Sequence, residues 1–139
     1  MKRHYVFASH GRFAEGILHS VELILGKQAN IHTLCAYLEE EDVTARIDAL
    51  MNAFSQEDEV IILTDIFAGS INNEFIRFIH RPQVHLVAGM NLPLIIEMLI
   101  APPGGDTAAL IEESLNNARE SIQYCNQTLH SVELTDRDF

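Results

Sequence analysis

A histidine, His10, stands where a predicted strand meets a predicted helix, flanked by the small residues Ser9 and Gly11. The free N–H groups at the start of such a helix favour an anionic ligand. An imidazole in this position can attack a phosphoryl group with one ring nitrogen if an acceptor holds the other nitrogen as N–H. The residue types therefore indicate phosphoryl transfer through a phosphohistidine as the candidate chemistry.

Asp65 is the candidate acceptor, because it directly follows the end of a different predicted strand. Its carboxylate would set the tautomer of the imidazole and stabilise the positive charge that develops on the ring. Residues around these two candidate catalytic side chains can offer backbone N–H groups and hydroxyls to phosphoryl oxygens. The predicted phosphoryl-binding residues are Ser9, Gly11, Gly69, Ser70 and Asn72.

Each of these residues also has a structural interpretation. One histidine in a chain with seven is commonly a surface residue, and Asp65 could belong to a turn or a cap. Ser70 and Asn72 are good helix-capping residues. The convergence of three loops favours a site, because residues 9–11, 65–72 and 89–92 all follow predicted strands. In a parallel sheet these loops open onto one edge, where ligands bind.

Other phosphate and metal chemistries lack their sequence patterns. The chain contains no GxxxxGK[ST] motif, and no GxGxxG follows the first strand. Its histidines show neither HExxH nor a short-spaced cluster, so no metal and no other cofactor is expected. Cys35 and Cys125 lie far from any CxxC spacing and are predicted to be small buried residues.

Strand and helix patterns alternate along the chain and must position these residues. Apolar residues at helical spacing separate the predicted strands, and Asp42 and Asp106 are predicted N-caps. The predicted strands are Tyr5–Ala8, Ile31–Leu38, Glu59–Thr64 and Val84–Ala88. This succession predicts a three-layer α/β sandwich with a mostly parallel central sheet of four strands, as one domain over residues 1–139.

The C-terminal part carries two further expectations. An apolar stripe at helical spacing predicts one helix from the Asp106 cap to Cys125, and His130–Leu134 is a candidate terminal strand. The stripe consists of Ala108, Ile111, Leu115, Ala118, Ile122 and Cys125.

The charge and composition exclude several partners. With 20 acidic and 9 basic side chains the net charge is −11, which repels nucleic acid and anionic lipid. The apolar fraction of 47% is enough to build a core. No apolar run is long enough to insert into a membrane, and the N-terminus lacks the pattern of a signal peptide. A cytoplasmic location is therefore expected.

Four motifs, in order along the chain, resemble the IIA component of the mannose-type family of the bacterial phosphoenolpyruvate-dependent sugar phosphotransferase system. They are Ala8–Gly16, Gly26–Ile31, Thr64–Asn72 and Gly89–Pro93. The resemblance implies a phosphotransferase in which His10 accepts a phosphoryl group from the phosphocarrier protein HPr. The group would then pass to the separate IIB component of a IIB/IIC/IID transporter during sugar uptake. Asp65 matches the family's active-site aspartate.

The family fold is an α/β sandwich, often a homodimer with exchanged C-terminal strands, and His130–Leu134 is the candidate for that exchange. The family loop usually reads Gly-Gly-Ser-Pro, whereas Ala68 and Ile71 replace its first glycine and its proline here. Ala68 is tolerable unless the position needs a positive φ. Loss of the proline removes a rigid turn and adds an N–H donor.

Two other functions remain open at this stage. The first is a phosphocarrier subunit that serves a dihydroxyacetone kinase, and the second is a non-catalytic regulatory module with the same fold. Neighbouring genes would separate the first from a transporter component, and labelling of His10 would exclude the second. The resemblance also implies that the choice of sugar lies largely with the membrane components of the transporter.

Overall fold

The computed structural model describes residues 2–135, with side chains described as far as His130. The chain divides into two compact units, Met1–Ile95 and Ile96–Phe139. The prediction of a single domain over residues 1–139 stays a prediction.

A parallel sheet of four strands forms the centre of the first unit. The strands are β1 (Arg3–His10), β2 (Ile31–Ala36), β3 (Glu59–Thr64) and β4 (Val84–Ala88), in the order β2-β1-β3-β4. All three pairings are parallel. The predicted parallel sheet is therefore confirmed, and the carboxyl ends of the strands meet at one edge.

One face of the sheet packs against the helices that connect β2 to β3 and β3 to β4. These are α2 (Val43–Asn52), which the Asp42 side chain caps, and α3 (Ser70–Phe75), which continues into a short 3-10 turn (Ile76–Phe78). Alternate strand residues supply the sheet side of this core, as the period of two requires. The cluster contains Val6, Ala8, Leu34, Ala36, Val60, Ile62 and Val84 from the strands, with Ile47, Met51, Ile71, Phe75 and Phe78.

Helix α1 (Phe13–Leu25) lies on the opposite face. The Ser9 side chain, which alternates with that of Ala8, accepts a hydrogen bond from the Ala14 N–H at 2.8 Å. Gly11 makes the tight connection from β1, with a φ of +58° that glycine adopts without strain. With helices on both faces, residues 2–95 form the predicted three-layer α/β sandwich.

Helix α4 (Leu92–Ile100) crosses the boundary between the two units, and its first turn is capped by Asn91, whose Oδ1 accepts the Leu94 N–H at 3.0 Å. The second unit continues with α5 (Thr107–Glu120) and α6 (Cys125–Thr135). Asp106 caps α5 as predicted. The Asn117 amide donates to the Glu97 carboxylate at 3.3 Å, which links α5 to α4.

The prediction of one continuous helix to Cys125 was wrong. Helix α5 ends at Glu120, and Ile122 beyond it is 80% exposed. Cys125 is exposed, contrary to the buried position predicted for it, whereas Cys35 is buried as predicted. A new helical turn starts where the Tyr124 carbonyl accepts the N–H groups of the third and fourth residues after it. Ile122 and Cys125 continue the helical spacing of the stripe, but both are exposed. Spacing alone therefore did not show that the helix ends before them.

The predicted terminal strand His130–Leu134 was also wrong, because this segment belongs to α6. Five residues with alternating polarity are too few to separate the two kinds of structure. A strand needs a neighbouring edge for its hydrogen bonds, whereas a helix makes them within its own segment. The candidate segment for strand exchange is therefore helical in this chain.

No helix among residues 2–135 is both long and apolar enough to span a membrane.

Two histidines and an aromatic ring cluster in the first unit, away from His10. The ring centroids of His4 and His32 are 5.5 Å apart, and Phe54 packs on both. His4 Nε2 lies 3.0 Å from Asp58 Oδ2, but His32 Nε2 is buried without a hydrogen-bond partner among the described residues. Burial lowers the pKa of His32, and the neighbouring His4 lowers it further.

This burial predicts a loss of stability in mild acid. The unfolded chain takes up a proton near the ordinary histidine pKa of about 6.5, before the folded chain does. The His32 contribution is therefore complete above about pH 6.5 and is lost as the pH falls towards the lower pKa of the folded state. Urea unfolding between pH 7 and pH 5 should show a smaller loss for His32→Gln than for the wild type. His19→Gln, at an exposed α1 position, should behave like the wild type, and an unchanged loss in His32→Gln would contradict the prediction.

Candidate functional site

His10 and Asp65 meet at the carboxyl edge of the sheet. His10 is the last residue of β1, and Asp65 directly follows the neighbouring strand β3. The His10 Nδ1–H donates to Asp65 Oδ2 at 2.9 Å. The backbone N–H of His10 donates to the same oxygen at 2.8 Å. One carboxylate oxygen therefore holds both the main chain and the ring of His10.

This contact determines which ring nitrogen is available. A carboxylate accepts hydrogen bonds, so Nδ1 carries the proton and the neutral ring keeps a lone pair on Nε2. The His10 side chain is 42% exposed, and Nε2 lies 3.4 Å from Ser70 Oγ. Nε2 is thus the nitrogen that can react with a group arriving from solvent.

Asp65 is suited to balance a positive charge on the ring. Its side chain is only 12% exposed. Its second oxygen, Oδ1, is buried and has no hydrogen-bond partner among the described residues. Because this carboxylate is largely shielded from water, it attracts a nearby positive charge more strongly than an exposed carboxylate would. The imidazole becomes positive when Nε2 forms a new bond, and Asp65 stabilises that state.

The loop after Asp65 brings α3 close to His10. A methyl group added at Gly69 would lie 3.6 Å from His10 Cε1, so the backbone passes directly beside the ring. Gly69 is the N-cap of α3, and Ser70 is its first residue. Asn72 Oδ1 accepts a buried hydrogen bond from Thr64 Oγ1 at 2.8 Å, which ties the start of α3 to the end of β3. Asn72 therefore positions Ser70 through the backbone.

Ser9 and Gly11 have local structural contacts. Ser9 is fully buried, and its hydroxyl donates to the Gly11 carbonyl while accepting the Ala14 N–H. The Gly11 N–H donates to the Ala36 carbonyl at 2.8 Å. Both groups that could have faced a phosphoryl oxygen are thus engaged within the protein. The hydrogen bonds of Ser9 and Gly11 therefore do not support the prediction that these two residues bind the phosphoryl group.

The third predicted loop contributes no hydrogen bond to the pair within the described residues. Asn91 donates to the Gly89 carbonyl and accepts the Leu94 N–H, so its amide is used locally. Residues 89–92 therefore shape the edge of the sheet and the start of α4.

Tyr37 also lies at the site, although its residue type and spacing do not predict it there. It follows β2 directly, its hydroxyl lies 2.9 Å from Ser70 Oγ, and its ring centroid lies 5.4 Å from that of His10. The sequence pattern placed Tyr37 inside the predicted strand Ile31–Leu38, whereas β2 ends at Ala36. The rule that singled out His10 and Asp65, a position directly after a strand, therefore did not reach Tyr37. A tyrosine at a strand end has no distinctive spacing, and the acidic residues that follow it indicate an ordinary solvated turn.

The two departures from the family loop have different structural effects. Ala68 has a φ of +61°, which is the left-handed region that favours glycine. The position therefore does need a positive φ, and the alanine is strained there. Ile71 is fully buried and belongs to the core beneath the sheet. Its side chain contributes apolar packing where the family usually has proline.

The residues described contain no group of three or more histidine, cysteine or acidic side chains arranged to bind a metal ion. The chemistry described above uses only the imidazole, the carboxylate and the hydroxyl groups.

The chain is similar to known components of the phosphotransferase system (PTS). The family model EIIA-man, described as "PTS system fructose IIA component", matches residues 4–118. The fructose-specific EIIA component of Bacillus subtilis is 25% identical over 136 residues, which cover 96% of this chain and 93% of the relative. The matched range includes His10, Tyr37, Asp65 and Ser70.

Solved structures share the fold. A Klebsiella pneumoniae protein, proposed as a phosphoenolpyruvate-dependent sugar phosphotransferase system permease, is 63% identical with a TM-score of 0.91. The match covers 93% of this chain and 95% of that chain. A PTS IIA protein associated with the fucose utilization operon of Streptococcus pneumoniae is 30% identical with a TM-score of 0.80, over 93% of this chain and 97% of that one.

Ala68→Gly is expected to increase the free energy of unfolding by about 0.5–1 kcal/mol, because glycine adopts the left-handed conformation without a Cβ clash. Urea unfolding measures the change. Ala53→Gly is the matched control, since Ala53 is exposed at the end of α2 with a φ of −78°. The control should lose about 0.5–1 kcal/mol through chain entropy. A loss of similar size in Ala68→Gly would show that the alanine is not strained.

Proposed function

The chain belongs to the EIIA-man family of phosphotransferase system IIA components, and from this membership we propose that it relays a phosphoryl group through His10. The family gives it a role in sugar phosphotransfer. In the proposed relay phospho-HPr is the donor, the IIB component of a sugar transporter is the acceptor, and Nε2 of His10 carries the group between them. The observation that supports this most strongly is the hydrogen bond from His10 Nδ1 to Asp65 Oδ2, which leaves Nε2 as the nucleophile.

In the first step the Nε2 lone pair attacks phosphorus. The new Nε2–P bond forms as the N–P bond of the donor's phosphohistidine breaks, and the donor imidazole leaves with that electron pair. The His10 ring now carries positive charge, which Asp65 stabilises. The proton stays on Nδ1, and the Nδ1–H remains hydrogen-bonded to the carboxylate oxygen. In the second step a nucleophile of the IIB component takes the same phosphoryl group, and His10 returns to its neutral form. Positioning and charge stabilisation provide the catalysis.

Ser70 is the proposed contact for the transferred group. Its exposed hydroxyl lies beside Nε2, at 3.4 Å, where the phosphoryl oxygens would be placed. When phosphorus occupies the Nε2 lone pair, the Ser70 O–H is free to donate to a phosphoryl oxygen. Gly69 allows the group to approach, because a side chain there would stand against the His10 ring.

The surroundings of His10 suit a protein partner. Ile66 and Phe67 directly follow Asp65 and are 56% and 79% exposed, and Phe13 near the start of α1 is 49% exposed. Apolar side chains exposed beside a reactive group mark interaction surfaces. A phosphoryl donor that is itself a protein would cover them during transfer. The homodimer, which the family resemblance implies, and the cytoplasmic location are also parts of this proposal.

Labelling tests the proposal directly. We expect the protein to take up radioactive phosphate from phosphoenolpyruvate when enzyme I and HPr are present, and His10→Ala to take up none. His80→Ala is the matched control, because His80 is exposed before β4, at the opposite edge of the sheet. Label that persists in His10→Ala would refute the assignment. A folded wild-type protein that takes up no label would support the non-catalytic regulatory module instead.

Removal of the carboxylate should slow transfer without unfolding the protein. We expect Asp65→Ala to reduce the transfer rate about 10²-fold, because the ring loses both its orientation and the charge that stabilises the phosphorylated state. Rapid-quench measurement of labelling gives the rate, and circular dichroism checks the fold. Asp48→Ala removes an exposed carboxylate of α2 that pairs with Arg77 and should transfer at the wild-type rate. An unchanged rate in Asp65→Ala would reduce Asp65 to a structural residue.

A further inference from the structure

We propose that Tyr37 is a positioning residue for phosphoryl transfer, acting through the hydroxyl of Ser70. This inference rests on the proposed function of His10. Tyr37, Ser70, His10 and Asp65 form one chain of contacts, with distances of 2.9 Å, 3.4 Å and 2.9 Å from the tyrosine to the carboxylate. The tyrosine lies at the end of this chain and has no direct hydrogen bond to Nε2.

The acceptor at one end sets the direction of every hydrogen bond. Asp65 accepts from Nδ1, so Nε2 of the neutral ring is itself an acceptor. Ser70 must then donate its only hydroxyl hydrogen to Nε2. The hydrogen between the two hydroxyl groups consequently comes from Tyr37. The tyrosine donates to Ser70 Oγ, and this donation keeps the serine hydrogen directed at the reactive nitrogen.

The same arrangement serves the phosphorylated state. Once Nε2 carries phosphorus, the Ser70 hydroxyl can turn towards a phosphoryl oxygen while its own oxygen still accepts from Tyr37. Without the tyrosine hydroxyl, Ser70 could rotate and donate elsewhere, for example to water. Tyr37 therefore restricts Ser70 to the two orientations that transfer requires.

Backbone strain gives an independent reason to assign Tyr37 a function. Its φ is +66°, and a bulky residue other than glycine is seldom found in the left-handed region. In this conformation the Tyr37 ring lies beside that of His10, with the ring centroids 5.4 Å apart and the planes tilted by 40°. The residue is also 51% exposed, so burial of apolar surface does not account for its position. Strained residues of this kind concentrate at functional sites.

Conservative variants separate the hydroxyl from the ring. Tyr37→Phe retains the aromatic contact and is expected to slow transfer from phospho-HPr about 3- to 10-fold, the effect of one hydrogen bond. The KM for phospho-HPr should stay unchanged, because the exposed apolar side chains proposed to meet the partner, Ile66, Phe67 and Phe13, are unaltered. Tyr124→Phe is the matched control, since Tyr124 is exposed between α5 and α6. It should transfer at the wild-type rate.

A double-mutant cycle tests whether Tyr37 acts through Ser70. If it does, Tyr37→Phe should cause no further loss of rate when Ser70 is already alanine. Losses that multiply in the double variant would overturn the inference, as would a wild-type rate in Tyr37→Phe.

Nitrogen NMR of the unphosphorylated protein gives a readout that needs no phosphoryl donor. The Nε2 resonance of His10 should move towards that of an unbonded acceptor in Ser70→Ala, and part of the way in Tyr37→Phe. The double variant should match Ser70→Ala. An unmoved resonance in Tyr37→Phe would overturn the inference. If the wild-type protein takes up no label, the proposed function fails, and this cycle alone decides whether Tyr37 orients Ser70.

Discussion

The site depends on a single carboxylate oxygen, Oδ2 of Asp65, which accepts hydrogen bonds from both the backbone and the ring of His10. The backbone contact holds the end of β1 against the end of β3. The ring contact selects the tautomer and turns Nε2 towards solvent. Because the same atom accepts both, the orientation of the imidazole is tied to the register of two neighbouring strands. Any shift of β1 against β3 would also misplace the nucleophile.

The loop that places Ser70 beside His10 and Asp65 contains a strained backbone position. The chain leaves β3, passes through the left-handed residue Ala68 and begins α3 within a few residues. The buried bond from Thr64 to Asn72 and the fully buried side chain of Ile71 hold the short helix in place. These contacts offset the strain in the loop. Their position in the interior explains how an exposed hydroxyl can keep a defined place at the surface.

Residue patterns in the sequence were enough to predict the sheet and the central pair. The predicted strand Glu59–Thr64 has the bounds of β3, and the parallel arrangement brought His10 at the end of β1 beside Asp65, which follows β3. Tyr37 was missed because the pattern placed it inside the predicted strand Ile31–Leu38, whereas β2 ends at Ala36 and Tyr37 has a left-handed φ that a tyrosine does not signal. The helical state of His130–Leu134 was missed because five residues carry too little periodicity to distinguish a helix from a strand. Local patterns report burial, whereas these features depend on backbone conformation and on neighbours distant in sequence.

The strand order gives the parts of the site unequal protection from local opening. Within residues 2–135, β1 and β3 are interior strands, whereas β2 pairs only with β1. Edge strands separate from a sheet at lower free energy than interior strands, and their amides exchange with solvent through such partial openings. An excursion of this kind would carry away Tyr37, which follows β2, and leave His10 paired with Asp65. His10 would keep its orientation, whereas the Tyr37 hydroxyl would be beside Ser70 only part of the time. Fluctuations of β2 would therefore change the reactivity of His10 in a protein that is otherwise folded.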